Sequence, residues 1–206
     1  ILNRIIMLIS QQLKKSALYL VLILTAVLGT IGCRDDQQVD SKQIAIDLNK
    51  PKDDIAKEQD ERFLVSAAEF DYEQILLGKL ANQRATSPDI KEFAKLLEET
   101  HRTSKSELGS LGILKSIAVP STPTKAAYAV YDEVNAVSVD EFDAAYLTQV
   151  IDRHHEAIGI FEQCIGGNHD PEIRNWAITK LTFLRLHLAK AMDLDAQSGP
   201  VSELIR

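Results

Sequence analysis

Beyond residue 53, each sustained apolar pattern in this chain recurs every three or four positions, and none alternates. A period near 3.6 lines one face of an α-helix, whereas a half-buried strand needs a period of two. From Asp54 to Arg84 the stripe is Phe63, Ala67, Phe70, Leu77 and Ala81, with Gly78 the one weak point. A second stretch opens at Ser87-Pro88, an N-cap followed by proline at the first helical position. It carries Ile90, Ala94, Leu97, His101, Ser104, Leu108 and Leu111. A third begins at Ser138 with Glu141 three residues on, the pattern of a capping box. Its stripe is Leu147, Ile151, His154 or His155, Ile158, Phe161 and Ile165, and Gly166-Gly167-Asn168 ends it. The fourth starts at Asp170-Pro171 and places Ile173, Ala177, Leu181, Leu184, Leu188 and Ala191 inward.

Four long amphipathic helices predict an all-α four-helix bundle over residues 54–197, with 198–206 a disordered tail. Hydrophobic residues make up 45% of the chain, enough to close one core. Residues 112–124 break the pattern with Val119-Pro120 and Thr122-Pro123, and 125–136 look like a short extra helix. So long a connection lets the second helical hairpin pack parallel to the first, as in ferritin-like bundles.

The front of the chain is of another kind. Residues 16–32 form an apolar run preceded by Lys14 and Lys15 and followed by Gly32-Cys33. A basic stretch, an apolar stretch and a small residue at the cut make an export signal over residues 1–32. The cysteine after it resembles the bacterial lipoprotein pattern, although Thr30 and Ile31 depart from the common form. The resemblance implies acylation at Cys33, and several acyl chains hold a membrane where one does not. Arg34-Asp35-Asp36 resembles a surface-export signal and reads equally as solvated linker. Met7 offers an alternative start to Ile1. Residues 33–53, polar and charged, are expected to be a flexible tether. The expected location is therefore the cell envelope, as an outer-membrane lipoprotein facing the periplasm or the surface, with the membrane as partner through Cys33.

Charge narrows the partners. The chain has 23 Lys and Arg against 30 Asp and Glu, a net charge of −7. Three of the basic residues and no acid lie before Cys33, so the remainder is more acidic still. Nucleic-acid binding needs a basic footprint and is not expected. There is no glycine-rich phosphate loop, nucleophile elbow or paired cysteine motif, and no catalytic residue is assigned. Cys164 reads as a buried small hydrophobe.

The histidines are the candidates for chemistry. His101, His155 and His187 fall near the middle of three helices, and Glu73 lies at comparable depth in the remaining one. At about 1.5 Å per residue, mid-helix positions of a bundle share a layer. Glu98 precedes His101 by three and Asp152 precedes His155 by three, and residues three apart share a helix face. Glu-x-x-His on two helices is the di-metal pattern of ferritin-like proteins, but Leu184 stands where the last helix would need its acid. The set Glu73, Glu98, His101, Asp152, His155 and His187 thus reads as a mononuclear zinc, iron or copper site. Each histidine on an apolar stripe reads equally as a core residue with one hydrogen-bond partner. His169, in a turn, is expected to be exposed.

The segments EFDYEQILLGKLANQRA, DIKEFAKLLEETHRTSKSEL, EFDAAYLTQVIDRHHEAIGIFE and DPEIRNWAITKLTFLRLHLAKA, in this order, resemble the bacterial family catalogued as domain of unknown function 4142. The resemblance covers roughly residues 60–195 and implies a ferritin-like bundle in an outer-membrane protein. The family's late second-helix histidine matches His101, its Phe-Asp-x-x-Tyr matches Phe142, Asp143 and Tyr146, its His-Glu matches His155 and Glu156, and its His-Leu matches His187 and Leu188. Thr100 and His154 depart from the acids common at their positions. The family has no agreed activity. The expected function is a lipid-anchored envelope module for binding or support, with a metal-binding or redox-protective bundle as the alternative.

Overall fold

The computed structural model describes residues 39–49 and 55–198, and the regular secondary structure among them is all helix. The helices are α1 (Ser41–Leu48), α2 (Ile55–Arg84), α3 (Pro88–Lys115), α4 (Lys125–Ala136), α5 (Val139–Gly166) and α6 (Pro171–Ser198). Four long helices form the expected bundle, and α4 is the extra helix of the crossover. Residues 1–38, including the expected signal and Cys33, and the tail after Ser198 lie outside the described residues. Among those described, no helix is long and apolar enough to cross a membrane.

Local chemistry sets the helix ends. Ser87 Oγ accepts from Ile90 N, with Pro88 beside it, and Thr124 Oγ1 accepts from Ala127 N. Asp170 accepts from the amides of Glu172 and Ile173. Ser138 does not cap through its side chain; its hydroxyl donates to Glu141 instead, at 2.8 Å. Helix α3 runs four residues past Leu111 and closes on Ser116 at φ 54°, while Ile117 N returns to Gly112 O.

The hairpins α2–α3 and α5–α6 are antiparallel. Gly78 lets α2 approach α3 closely, since a Cβ there would stand 2.8 Å from Ala94 O. The sequence's weakest helix former is therefore a packing requirement. Asp143, from the Phe-Asp-x-x-Tyr segment, accepts from the amides of Thr86 and Ser87 and ties α5 to the α2–α3 turn. Helix α4 returns along α2, from Thr124 hydrogen-bonded to Glu69 up to Asn135 and Val137 bonded to Arg84. This crossover makes α5 antiparallel to α2: Phe63 meets Phe161, and Phe70 meets His154.

The expected tether is in part an ordered helix. Helix α1 lies within residues 33–53 and is fastened to the crossover. Ser41 Oγ donates to Thr122 O, Asn49 bonds both the N–H and the C=O of Ala118, and Lys42 pairs with Glu69. Its apolar residues are too few to signal burial. Polar pairs with residues about seventy to eighty positions away hold it, and no local pattern reveals such pairs.

The core falls into two apolar clusters. One gathers Leu77, Leu80, Ile90, Phe93, Leu97, Phe142, Tyr146 and Val150. The other gathers Phe63, Leu64, Leu108, Phe161, Ile173, Leu181 and Leu184. A polar layer lies between them.

Candidate metal centre

That layer is made by His101 from α3, His154 from α5 and His187 from α6, all buried. The ring centroids are 5.6 Å apart for His101 and His154, 5.4 Å for His101 and His187, and 5.6 Å for His154 and His187. Each ring offers one nitrogen within 4.8 Å of the others. Helix α2 closes the layer with two consecutive residues. Phe70 sets its ring edge-on to His101 at 5.1 Å and to His154 at 5.2 Å. Asp71 places Oδ1 2.8 Å from His101 Nδ1.

Hydrogen bonds choose which nitrogens are free. His154 Nδ1 lies 2.8 Å from Val150 O, and a carbonyl only accepts, so this nitrogen carries the proton and Nε2 presents its lone pair. With Asp71 on Nδ1, His101 likewise turns Nε2 inward. His101 Nε2, His154 Nε2 and His187 Nδ1 are all buried without a hydrogen-bond partner, as is Asp71 Oδ2.

Burial also sets the charge states. Desolvation, reinforced by repulsion from His101 and His187, holds His154 well below the usual imidazole range. Desolvation lowers His187 to about 3, with His101 adding to it. Desolvation raises the Asp71 carboxyl, against the stabilising pull of His101. At neutral pH the layer holds uncharged imidazoles on His154 and His187, the form that binds metals.

Only part of the expected ligand set converges here. His101 and His187 do. His155 is exposed, and His154 takes the inward place. The stripe through Ile151, Ile158 and Ile165, all only half-buried, admits either histidine, and the Asp152-x-x-His155 spacing singled out the exposed one. The true centre of the α5 face runs through Val150, His154, Ala157 and Phe161. Asp152 is exposed. Glu98 lies to one side of the face and bonds Arg102. Glu73 is fully buried but turns to the α2–α5 seam, where it holds Arg153 at 2.9 Å; desolvation raises its carboxyl and that pair opposes the shift. The carboxylate of the layer is Asp71, two residues earlier on nearly the opposite side of α2. Its signal was present in the sequence, since Asp71 stands four residues after Ala67 on the inward stripe.

Two other expectations meet different outcomes. Cys164 is buried as expected, and burial pushes its thiol up to about 12, which leaves it unreactive. His169 is not exposed. Its Nδ1 lies 2.7 Å from Asp60, whose carboxylate also accepts from Asp170 N, and so the start of α2 is clamped to the α5–α6 turn.

The profile of a family described as domain of unknown function (DUF4142) matches residues 47–194. The chain belongs to this family. No curated protein matches it. Two solved structures share the fold of this DUF4142 chain. One, "Crystal structure of DUF305 fragment from Deinococcus radiodurans", is 12% identical with a TM-score of 0.60, covering 68% of this chain and 96% of the other. The second, "CopM in the Cu(II)-bound form", is 16% identical with a TM-score of 0.56, covering 68% and 98%. At such identities the likeness establishes the helical bundle and nothing finer.

Proposed function

We propose that this protein is a lipid-anchored envelope module whose bundle holds one transition-metal ion on His101, His154 and His187. One observation carries the metal reading: three imidazole nitrogens converge in the core and no protein group satisfies them. Each buried polar atom left without a partner costs about 1–3 kcal/mol. Three in one layer, on three different helices, are better accounted for by an ion than by packing. Around zinc or copper, three nitrogens stand about 3.4 Å apart, so modest rotations of the rings would close the set. Asp71 would fix the orientation of His101 through Nδ1, and the Val150 carbonyl would do the same for His154. Imidazole donors suit copper and zinc. The related bundle solved with Cu(II) supports copper within this architecture. The anchor reading rests on the apolar run ending at Gly32-Cys33.

Elemental analysis of the purified protein after exposure to copper or zinc tests the site. We expect about one ion per chain. His154→Ala should weaken binding more than about 100-fold, while His155→Ala leaves it unchanged. Equal metal content in wild type and His154→Ala sinks the proposal and leaves a structural bundle. Incorporation of labelled fatty acid, lost in Cys33→Ala, tests the anchor.

A further inference from the structure

The donor set also speaks to which ion is held. Resting on the metal reading above, we infer that the site selects cuprous copper, Cu(I), over Cu(II) and Zn(II). The three donors are imidazoles, and no carboxylate or thiolate joins the group whose atoms lie within 4.8 Å of one another. The ligands themselves therefore cancel none of the ion's charge.

The ion's own charge is therefore what the buried layer must accommodate. A divalent ion on three neutral donors brings twice the charge of a monovalent one into the core, where unpaired charge is expensive.

Coordination number points the same way. Zinc in a three-histidine site takes a fourth ligand, ordinarily water. Cu(II) prefers a tetragonal set. Cu(I) has a filled d shell and is content with three donors. Phe70 lies edge-on against two of the three rings, so that side of the triad meets hydrocarbon and not a group able to hold a fourth ligand.

The test is a competition on the full-length purified protein. Under anaerobic conditions, Cu(I) kept reduced by ascorbate is titrated in against a chromophoric Cu(I) chelator, and equimolar Zn(II) is then added. The copper-loaded protein is also examined by X-ray absorption and redox titration. Expected are one Cu(I) per chain retained against zinc, three nitrogen donors, and a midpoint potential above that of the aqueous copper couple. His187→Leu, which keeps the volume apolar, should lower Cu(I) affinity more than about 100-fold with the helical circular dichroism unchanged. Displacement of Cu(I) by equimolar Zn(II), or a potential below the aqueous couple, overturns the cuprous preference while the metal site stands. Failure of Cu(I), Cu(II) and Zn(II) alike to bind overturns both.

Discussion

The apolar cluster around Leu97 and Phe142 and the histidine layer beside it are built on the same helices, yet they follow opposite rules. In the first, Leu97, Phe142, Leu147 and Val150 are fully buried and carry no side-chain polar atom, and the Tyr146 hydroxyl is the cluster's one buried polar atom without a partner. In the second, the buried atoms His101 Nε2, His154 Nε2, His187 Nδ1 and Asp71 Oδ2 have no partner, and each weakens the fold. The bundle thus separates apolar packing from a polar histidine layer along its axis. Long apolar segments lie on either side of that layer.

Substitutions should break the two regions apart. The largest effect is expected for Phe142→Ala, which should destabilise by about 3–5 kcal/mol in denaturant unfolding. It lies three turns from His154 on α5, so metal stoichiometry should not change. If metal is lost with the protein still folded, the regions are not independent. Asp71→Asn should act in the opposite sense, lowering metal affinity about 10–100-fold while unfolding stability changes little or rises. A competition titration beside a urea melt separates the two.

Acid sharpens the comparison, because the layer holds buried imidazoles and the apolar cluster holds none. The folded-state values of His154 and His187 lie below the unfolded imidazole value near 6.5. Below that pH the unfolded chain takes up protons that the folded metal-free protein refuses. Stability is therefore complete above about pH 6.5 and falls as pH drops, by up to about 1.4 kcal/mol per pH unit for each such imidazole. Asp71 and Glu73, raised by burial, act in the reverse sense nearer the carboxylate range. The decline should thus approach its full slope about one unit below pH 6.5 in urea melts of metal-free protein, and His187→Leu should flatten it. The smallest effect lies outside both regions. Ser116→Gly relieves the left-handed backbone at the end of α3 and should add about 0.5–1 kcal/mol without touching metal binding.

Much of the fold was legible because helices announce themselves locally. Ser87-Pro88 and Asp170-Pro171 mark starts through the backbone amides they satisfy or lack, and a 3.6-residue period marks the faces. The candidate site was legible only to its layer. His101 and His187 could be placed from their depth along the helices. Between His154 and His155 one residue is about 100° of rotation; the apolar stripe admits both, and the Asp152-x-x-His155 spacing favoured the exposed one.

The sequence by itself determined an all-helical bundle, its two hairpins, the long crossover and the level at which histidines gather. Those follow from period, caps and spacing, which are short-range properties of the chain. Only the tertiary structure decided that α1 docks on the crossover, that Gly78 is a contact with α3, that Glu73 serves Arg153, and that Asp71 and His154 complete the layer. The reason is geometric. Which of two neighbouring side chains points inward depends on how each helix is rotated against its partners, and that rotation is set by packing across the whole bundle.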